Sequence, residues 1–145
     1  MLIKAITVGK LKDRFLQARC DEYAKWIGAY AKLEVRELPD SNSAREGAAI
    51  LKELEKERNS FVVVLSEEGR EYSSQAFADA LGKISRKTVF IIGGPTGLSQ
   101  EVKARADLVW SLSRLTFTHE IARLLLFEQL FRCVNILNGG HYHNP

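Results

Sequence analysis

Apolar, β-branched residues gather in five short runs along the chain, at Leu2–Val8, Leu33–Leu38, Phe61–Leu65, Thr88–Ile92 and Leu108–Trp110. Between them the pattern switches to helical spacing, over about Leu11–Ala31, Ala44–Arg58 and Ser74–Ser85, with a short helix after Ser99. Phe77, Leu81 and Ile84 follow the i, i+4, i+7 rule behind a Ser73-Ser74 start signal. Phe61–Leu65 and Val89–Ile92 are continuous apolar runs, as in strands covered on both faces. Strict alternation of strand and helix predicts an α/β fold, a mostly parallel sheet with helices on both faces. No repeat, low-complexity stretch or linker divides the pattern, and 145 residues match one domain.

The last helical stretch, about His119 to Leu137, breaks the surface-helix rule. On a wheel at about 100° per residue, Ala122, Leu126, Phe127, Leu130, Cys133, Val134 and Leu137 share one broad apolar face. A surface helix keeps its other side polar, yet Leu124, Leu125, Phe131 and Ile136 interrupt that side here. Either the helix is deeply buried, or it has one face for its own sheet and a second for another subunit. A chain this small offers little protein to cover both faces, which favours the second subunit. Arg123 falls at the centre of the apolar face, and a buried guanidinium must find a carboxylate or carbonyl partner.

Composition changes this picture little. With 46% apolar and 27% charged residues the chain reads as an ordinary globular protein, and a net charge of +3 permits a polyanionic partner without demanding one. Cys20 and Cys133 are too few and too far apart for a disulfide framework or a zinc site, and read as core residues. The first strand is too short for a signal peptide, and no apolar run approaches the ~20 residues that span a bilayer, so a cytoplasmic protein without membrane contact is expected.

Ligands in open α/β sheets gather at the carboxyl ends of strands. Three segments should meet there: Leu65–Gly69, Ile92–Ser99 and Ser111–Thr118. Gly93-Gly94-Pro95-Thr96-Gly97 is a sharply turned loop with accessible amides. Taken alone it reads first as a plain tight turn before a helix. It lacks the Gly-Lys-Ser/Thr of a phosphate-binding loop and the G-x-G-x-x-G spacing of a dinucleotide site. All three histidines, His119, His141 and His143, lie near the C-terminus. His119 suits a capping or core role. The tail Gly139–Pro145 has the composition of a frayed end, and without carboxylate or thiol partners its histidines do not make a metal site.

The combination is more specific than its parts. Ile91–Ser99, then Trp110–His119, then Arg123–Arg132 and a terminal Tyr142-His143 resemble the RlmH (YbeA-type) SPOUT methyltransferases, over essentially the whole chain. The resemblance implies a single domain whose C-terminal part forms a trefoil knot, an exception to the rule against threaded chains. It also implies a homodimer that binds S-adenosylmethionine and methylates N3 of a pseudouridine in 23S ribosomal RNA on the assembled ribosome. Carried over by position, Leu65, Gly93 and the stretch Leu112, Ser113, Arg114, Leu115, Thr116 and Phe117 are cofactor contacts. Tyr142 and His143 match the motif that approaches the target base, with His143 a candidate general base. A competing account has the tail only positioning RNA. In place of the family's usual basic residue after Tyr-His stands Asn144-Pro145; His141 or Lys10, Lys12, Arg14 and Arg19 are candidates to supply the missing charge. Another RNA such as tRNA, or a ribosome-binding role without chemistry, are the alternative functions.

Overall fold

The computed structural model describes residues 1–145. Strands β1 (Leu2–Val8), β2 (Lys32–Leu38), β3 (Phe61–Glu71), β4 (Thr88–Ile92) and β5 (Leu108–Ser111) alternate with helices α1 (Arg14–Ile27), α2 (Ser43–Glu55), α3 (Ser74–Gly82), α4 (Gln100–Ala104) and α5 (His119–Leu137). The strands form one sheet in the order β2-β1-β4-β3-β5, with every pairing parallel. The expected α/β architecture is therefore present.

Side chains alternate across each strand, so the sheet builds two cores. Ile3, Ala5, Val63, Phe90 and Ile92 face α1, α3 and α5. Ile6, Val8, Val62, Val64, Val89 and Ile91 face α2 and α4. Phe77 of α3 stacks on Trp110 of β5 with ring centroids 3.8 Å apart. Burial pushes the Cys20 thiol up to about 11 and that of Cys133 up to about 12, as suits the inert core residues read from the sequence. No helix is long and apolar enough to cross a membrane.

Two elements depart from the sequence reading. Helix α1 is shorter than Leu11–Ala31, because the Asp13 carboxylate accepts from the amides of Phe15 and Leu16 and starts the helix at Arg14. Strand β3 is longer than Phe61–Leu65 and runs through the polar Ser66–Glu71. Leu65 and Arg70 both pair with Trp110, so the chain bulges out between them and rejoins β5. Gly69 makes the rejoining possible: a Cβ there would lie 2.6 Å from the backbone of Val109.

Polar groups are buried at both ends of the sheet. Toward its amino end, the Lys4 ammonium lies 3.0 Å from Glu57, 3.3 Å from Glu53 and 3.4 Å from Glu34. Lys87 joins Glu34 to Glu57, while Arg36 and Lys56 pair with Glu53. At the carboxyl end, Arg123 meets the expectation of a paired buried cation. It donates to Glu37 Oε2 and to the Gly9 carbonyl, both at 2.7 Å, and so pins the start of α5 to the ends of β1 and β2. The Thr118 hydroxyl caps α5, and His119 packs against Gly9.

Candidate active site

Three neighbouring strands bring the predicted cofactor residues to one level. Val64 pairs with Ile91, and Leu65 pairs with Trp110. The step after each pair places Leu65 between the Ile92-Gly93 end of β4 and the Ser111-Leu112 end of β5. Leu65, Gly93 and Leu112–Phe117 thus converge at the carboxyl edge of β4-β3-β5, from chain positions far apart.

The glycine loop is held by close internal packing. A Cβ at Gly93 would lie 2.9 Å from the Leu98 side chain and 3.1 Å from the Gly97 backbone. The Gly97 amide closes a turn onto the Gly94 carbonyl at 3.0 Å, and Gly97 has φ +77°, which favours glycine. Behind the loop, the buried Glu46 carboxylate accepts from the Ser41 amide at 2.7 Å, and its other oxygen lies against Gly94. Gly47 lets α2 approach Ser99, since a Cβ there would sit 2.8 Å from the Ser99 hydroxyl. Glu46 and Gly47 had no sequence signal beyond an ordinary helical pattern.

The stretch Leu112–Phe117 makes no backbone-to-backbone hydrogen bond; its one internal tie is the Leu115 amide donating to the Ser113 hydroxyl at 3.0 Å. A run of free amides and carbonyls beside apolar side chains suits a planar, polar-edged ligand. A cleft of about 270 Å³ opens beside it, lined by Leu112, Phe117, Tyr72, Phe77, Trp110 and Gln129. The Ser111 hydroxyl lies on its wall, buried and without a partner. Arg114 projects into solvent and pairs with Glu71 at 2.8 Å, and Leu115 is 70% exposed. Ser111 opens the Ser111–Thr118 segment expected at the strand ends, whereas Tyr72 and Gln129 line the cleft without any sequence signal.

Tyr142 and His143 are not brought to this edge. Helix α5 starts there and runs away from it, so Arg132 lies roughly 20 Å along the axis at ~1.5 Å per residue. The tail docks against that distant part instead of fraying. Asn135 accepts from the Tyr142 amide at 3.0 Å through its side chain, and from the Gly140 amide at 2.9 Å through its backbone carbonyl. The Tyr142 ring packs on Phe131, with centroids 4.7 Å apart, and the Arg132 guanidinium lies over the same ring, 4.9 Å from its centroid. Arg132 also reaches Nδ1 of His143 at 3.2 Å.

A parallel sheet in the order β2-β1-β4-β3-β5, with an open loop cluster at its carboxyl edge, is an α/β frame with room for a ligand at that edge. The family model described as predicted SPOUT methyltransferase matches residues 1–143, and the chain belongs to that family. Within it, the chain is 40% identical over 152 residues to ribosomal RNA large subunit methyltransferase H of Gloeobacter violaceus, covering 99% of both proteins. Solved structures share the fold at lower identity. The tRNA (m1G37) methyltransferase of Aquifex aeolicus superposes with TM-score 0.59 at 15% identity, over 91% of this chain and 70% of that one. AviRb, a SpoU methyltransferase of Streptomyces viridochromogenes in complex with AdoMet, superposes with TM-score 0.56 at 13% identity, over 97% of this chain and 59% of that one.

Proposed function

We propose that this chain is a single SPOUT domain that methylates large-subunit ribosomal RNA in the cytoplasm, with S-adenosylmethionine as methyl donor. The finer reading is that the methyl group goes to N3 of a pseudouridine in 23S ribosomal RNA on the assembled ribosome. The observation that carries it is the convergence of Leu65, Gly93 and the unpaired backbone of Leu112–Phe117 on one sheet edge, in a relative of the large-subunit methyltransferases. The donor set fits the cofactor. Leu65, Leu112 and Phe117 would flank its adenine, the free amides and carbonyls of Leu112–Phe117 would read the ring edge, and Gly93, packed tightly on Leu98, would hold the loop backbone in place beside it. The bound sulfonium supplies an electrophilic methyl group. The protein's task is then to hold the imide nitrogen in line at near-attack distance.

Two structural readings belong with this proposal. Strand β5 lies outside β3 at the sheet edge, while α5 begins against Gly9 at the end of β1. Residues Leu112–Thr118 therefore cross over the ends of β3 and β4, and this crossing supports a trefoil knot. The second is a homodimer. Ile121 is 40% exposed, and Leu124, Leu125 and Ile136 are only half-buried. With the tail of each chain remote from its own Gly93 loop, a twofold partner would bring Tyr142 and His143 to the other chain's cofactor site.

Mass spectrometry of ribosomal RNA from a deletion strain tests the substrate: 3-methylpseudouridine is expected to vanish and to return with the plasmid-borne gene. Persistence of that nucleoside overturns the assignment, and loss of a tRNA methylation instead would move the substrate to tRNA. Gly93→Val is expected to weaken S-adenosylhomocysteine binding by at least about tenfold in calorimetry, since a buried steric clash of about 1.4 kcal/mol already gives that factor. Unchanged affinity would place the cofactor elsewhere.

A further inference from the structure

We infer that His143 acts as a hydrogen-bond donor through Nε2–H, set in that role by Arg132, and not as a general base. The inference rests on the reading that the tail meets the target base, and it concerns which end of the imidazole the tail presents there. A guanidinium carries only donors. Arg132 NH1 lies 3.2 Å from His143 Nδ1, so Nδ1 is the acceptor of that bond and its lone pair is spent. The ring proton then sits on Nε2, because the partner of one ring nitrogen fixes the state of the other. Nε2 has no partner within the chain, and it is the only ring atom left to meet a ligand.

Arg132 is itself fixed. Its side chain is 18% exposed, it pairs with Glu128 one turn earlier in α5, and its guanidinium covers the Tyr142 ring. Tyr142 is held in turn by Asn135, Phe131 and the Tyr23 hydroxyl, 3.5 Å from its own. His143 therefore presents a donor from a tail anchored at Tyr142 and at Arg132, not from a swinging end. Arg132 is a positioning residue that acts through the imidazole.

The chemistry suits a donor. An imide N–H lies between two carbonyl oxygens, and as its proton leaves to water the negative charge spreads onto those oxygens. A fixed N–H aimed at one of them stabilises the anion that is the effective nucleophile, as donors do at developing oxyanions. A base at the imide proton would instead need an outward lone pair, and the Arg132 contact has taken the one available.

Glutamine separates the two roles. Its amide oxygen can accept from Arg132 while its N–H₂ donates outward, but it has no basic nitrogen. Single-turnover methylation of ribosomes is expected to fall on the order of 100-fold in His143→Ala, the usual cost of a lost oxyanion donor, and to stay within about tenfold of the unmodified protein in His143→Gln. Glutamine as slow as alanine overturns the inference in favour of a base, and both variants at full rate remove the tail from the reaction. Two readouts do not depend on turnover. Long-range ¹H–¹⁵N correlation spectra of the full chain should show Nδ1 unprotonated and Nε2 protonated, and a protonated Nδ1 refutes the proposal. Calorimetry should find S-adenosylhomocysteine affinity unchanged in both variants. If the unmodified protein fails to methylate ribosomal RNA while the spectra show the Nε2–H form, the substrate reading falls and the tautomer assignment stands.

Discussion

Lys4→Met is expected to destabilise the protein by about 3–5 kcal/mol, the cost of leaving a buried charge network without its central partner. Lys4 is 3% exposed and sits among three carboxylates. Methionine matches its stem and removes only the ammonium, so the loss falls on Glu53 and Glu57, which are themselves nearly enclosed. Urea unfolding followed by circular dichroism measures it, and a domain of this size should lose roughly 2–4 °C of melting temperature per kcal/mol. Adding Glu57→Gln to Lys4→Met should recover part of the loss, because a neutral group there no longer needs the cation. A second replacement that costs further stability would show that packing, not charge, sets the effect.

The same network predicts an acid transition. Burial alone would push the Glu53 carboxyl up; the hydrogen bonds from Lys56, Lys4 and Arg36 outweigh it and bring it down to about 2, against an ordinary 4.5. Burial likewise opposes ionisation of Glu57, and Lys4 and Lys87 overcome it, leaving that group lowered too. A carboxyl depressed in the folded state contributes stability above its unfolded value and loses it on protonation. Stability should therefore hold down to about pH 4.5 and decline from there toward pH 2. For Lys4, burial lowers and Glu57, Glu53 and Glu34 raise, and the net shift is upward, so its contribution is lost only as pH rises beyond 10.5. Glu53→Gln should flatten the acid limb of a midpoint-against-pH plot; an unchanged slope would exclude Glu53 as its origin.

Gly69→Ala is the second large effect. The new methyl group would sit 2.6 Å from the carbonyl carbon and oxygen of Val109 and 2.8 Å from the Trp110 carbonyl carbon. Those are backbone atoms of a paired strand and have no rotamer to yield. The end of β3 must separate from β5, and overpacking of this kind costs about 3 kcal/mol. The strain also lands on the cofactor site, because Arg70 and Glu71 pair with Trp110 and Ser111 immediately before the Leu112–Phe117 stretch. We expect a lower urea midpoint together with loss of S-adenosylhomocysteine binding. Full binding in a destabilised variant would uncouple the bulge from the site.

The strands and α5 were legible because their signals are local. Val89–Ile92 is apolar throughout, and the bounds His119–Leu137 coincide with those read from the wheel. The wheel also placed Arg123, Leu126, Phe127, Leu130, Cys133 and Val134 inside, and they are buried. It failed at Leu137, which the wheel placed on the apolar face and which is exposed, and at Phe131 and Asn135, which lie on the interrupted side and are buried by α1 and by the returning tail. Nothing periodic in Gly139–Pro145 announces that docking, since it depends on an aromatic cluster built from α1 and α5. Ser66–Glu71 reads as loop because polar residues with a glycine lack strand propensity, and only the neighbouring Trp110 recruits them into β3.

For the candidate site, the family resemblance supplied Leu65, Gly93 and Leu112–Phe117, while spacing alone left the glycine loop an ordinary turn. The sequence by itself determined the α/β alternation, the buried helix face and the need for a partner at Arg123, since each follows from side-chain period and desolvation within a few residues. Only the tertiary structure decided the strand order that sets three distant segments side by side. Only it closed the Lys4 network across a gap of about fifty residues, and only it docked the tail beside Arg132, where the composition alone had suggested a frayed end. Those outcomes rest on contacts between segments remote in the chain, whose choice of partner is written in shape and charge complementarity and not in any local period.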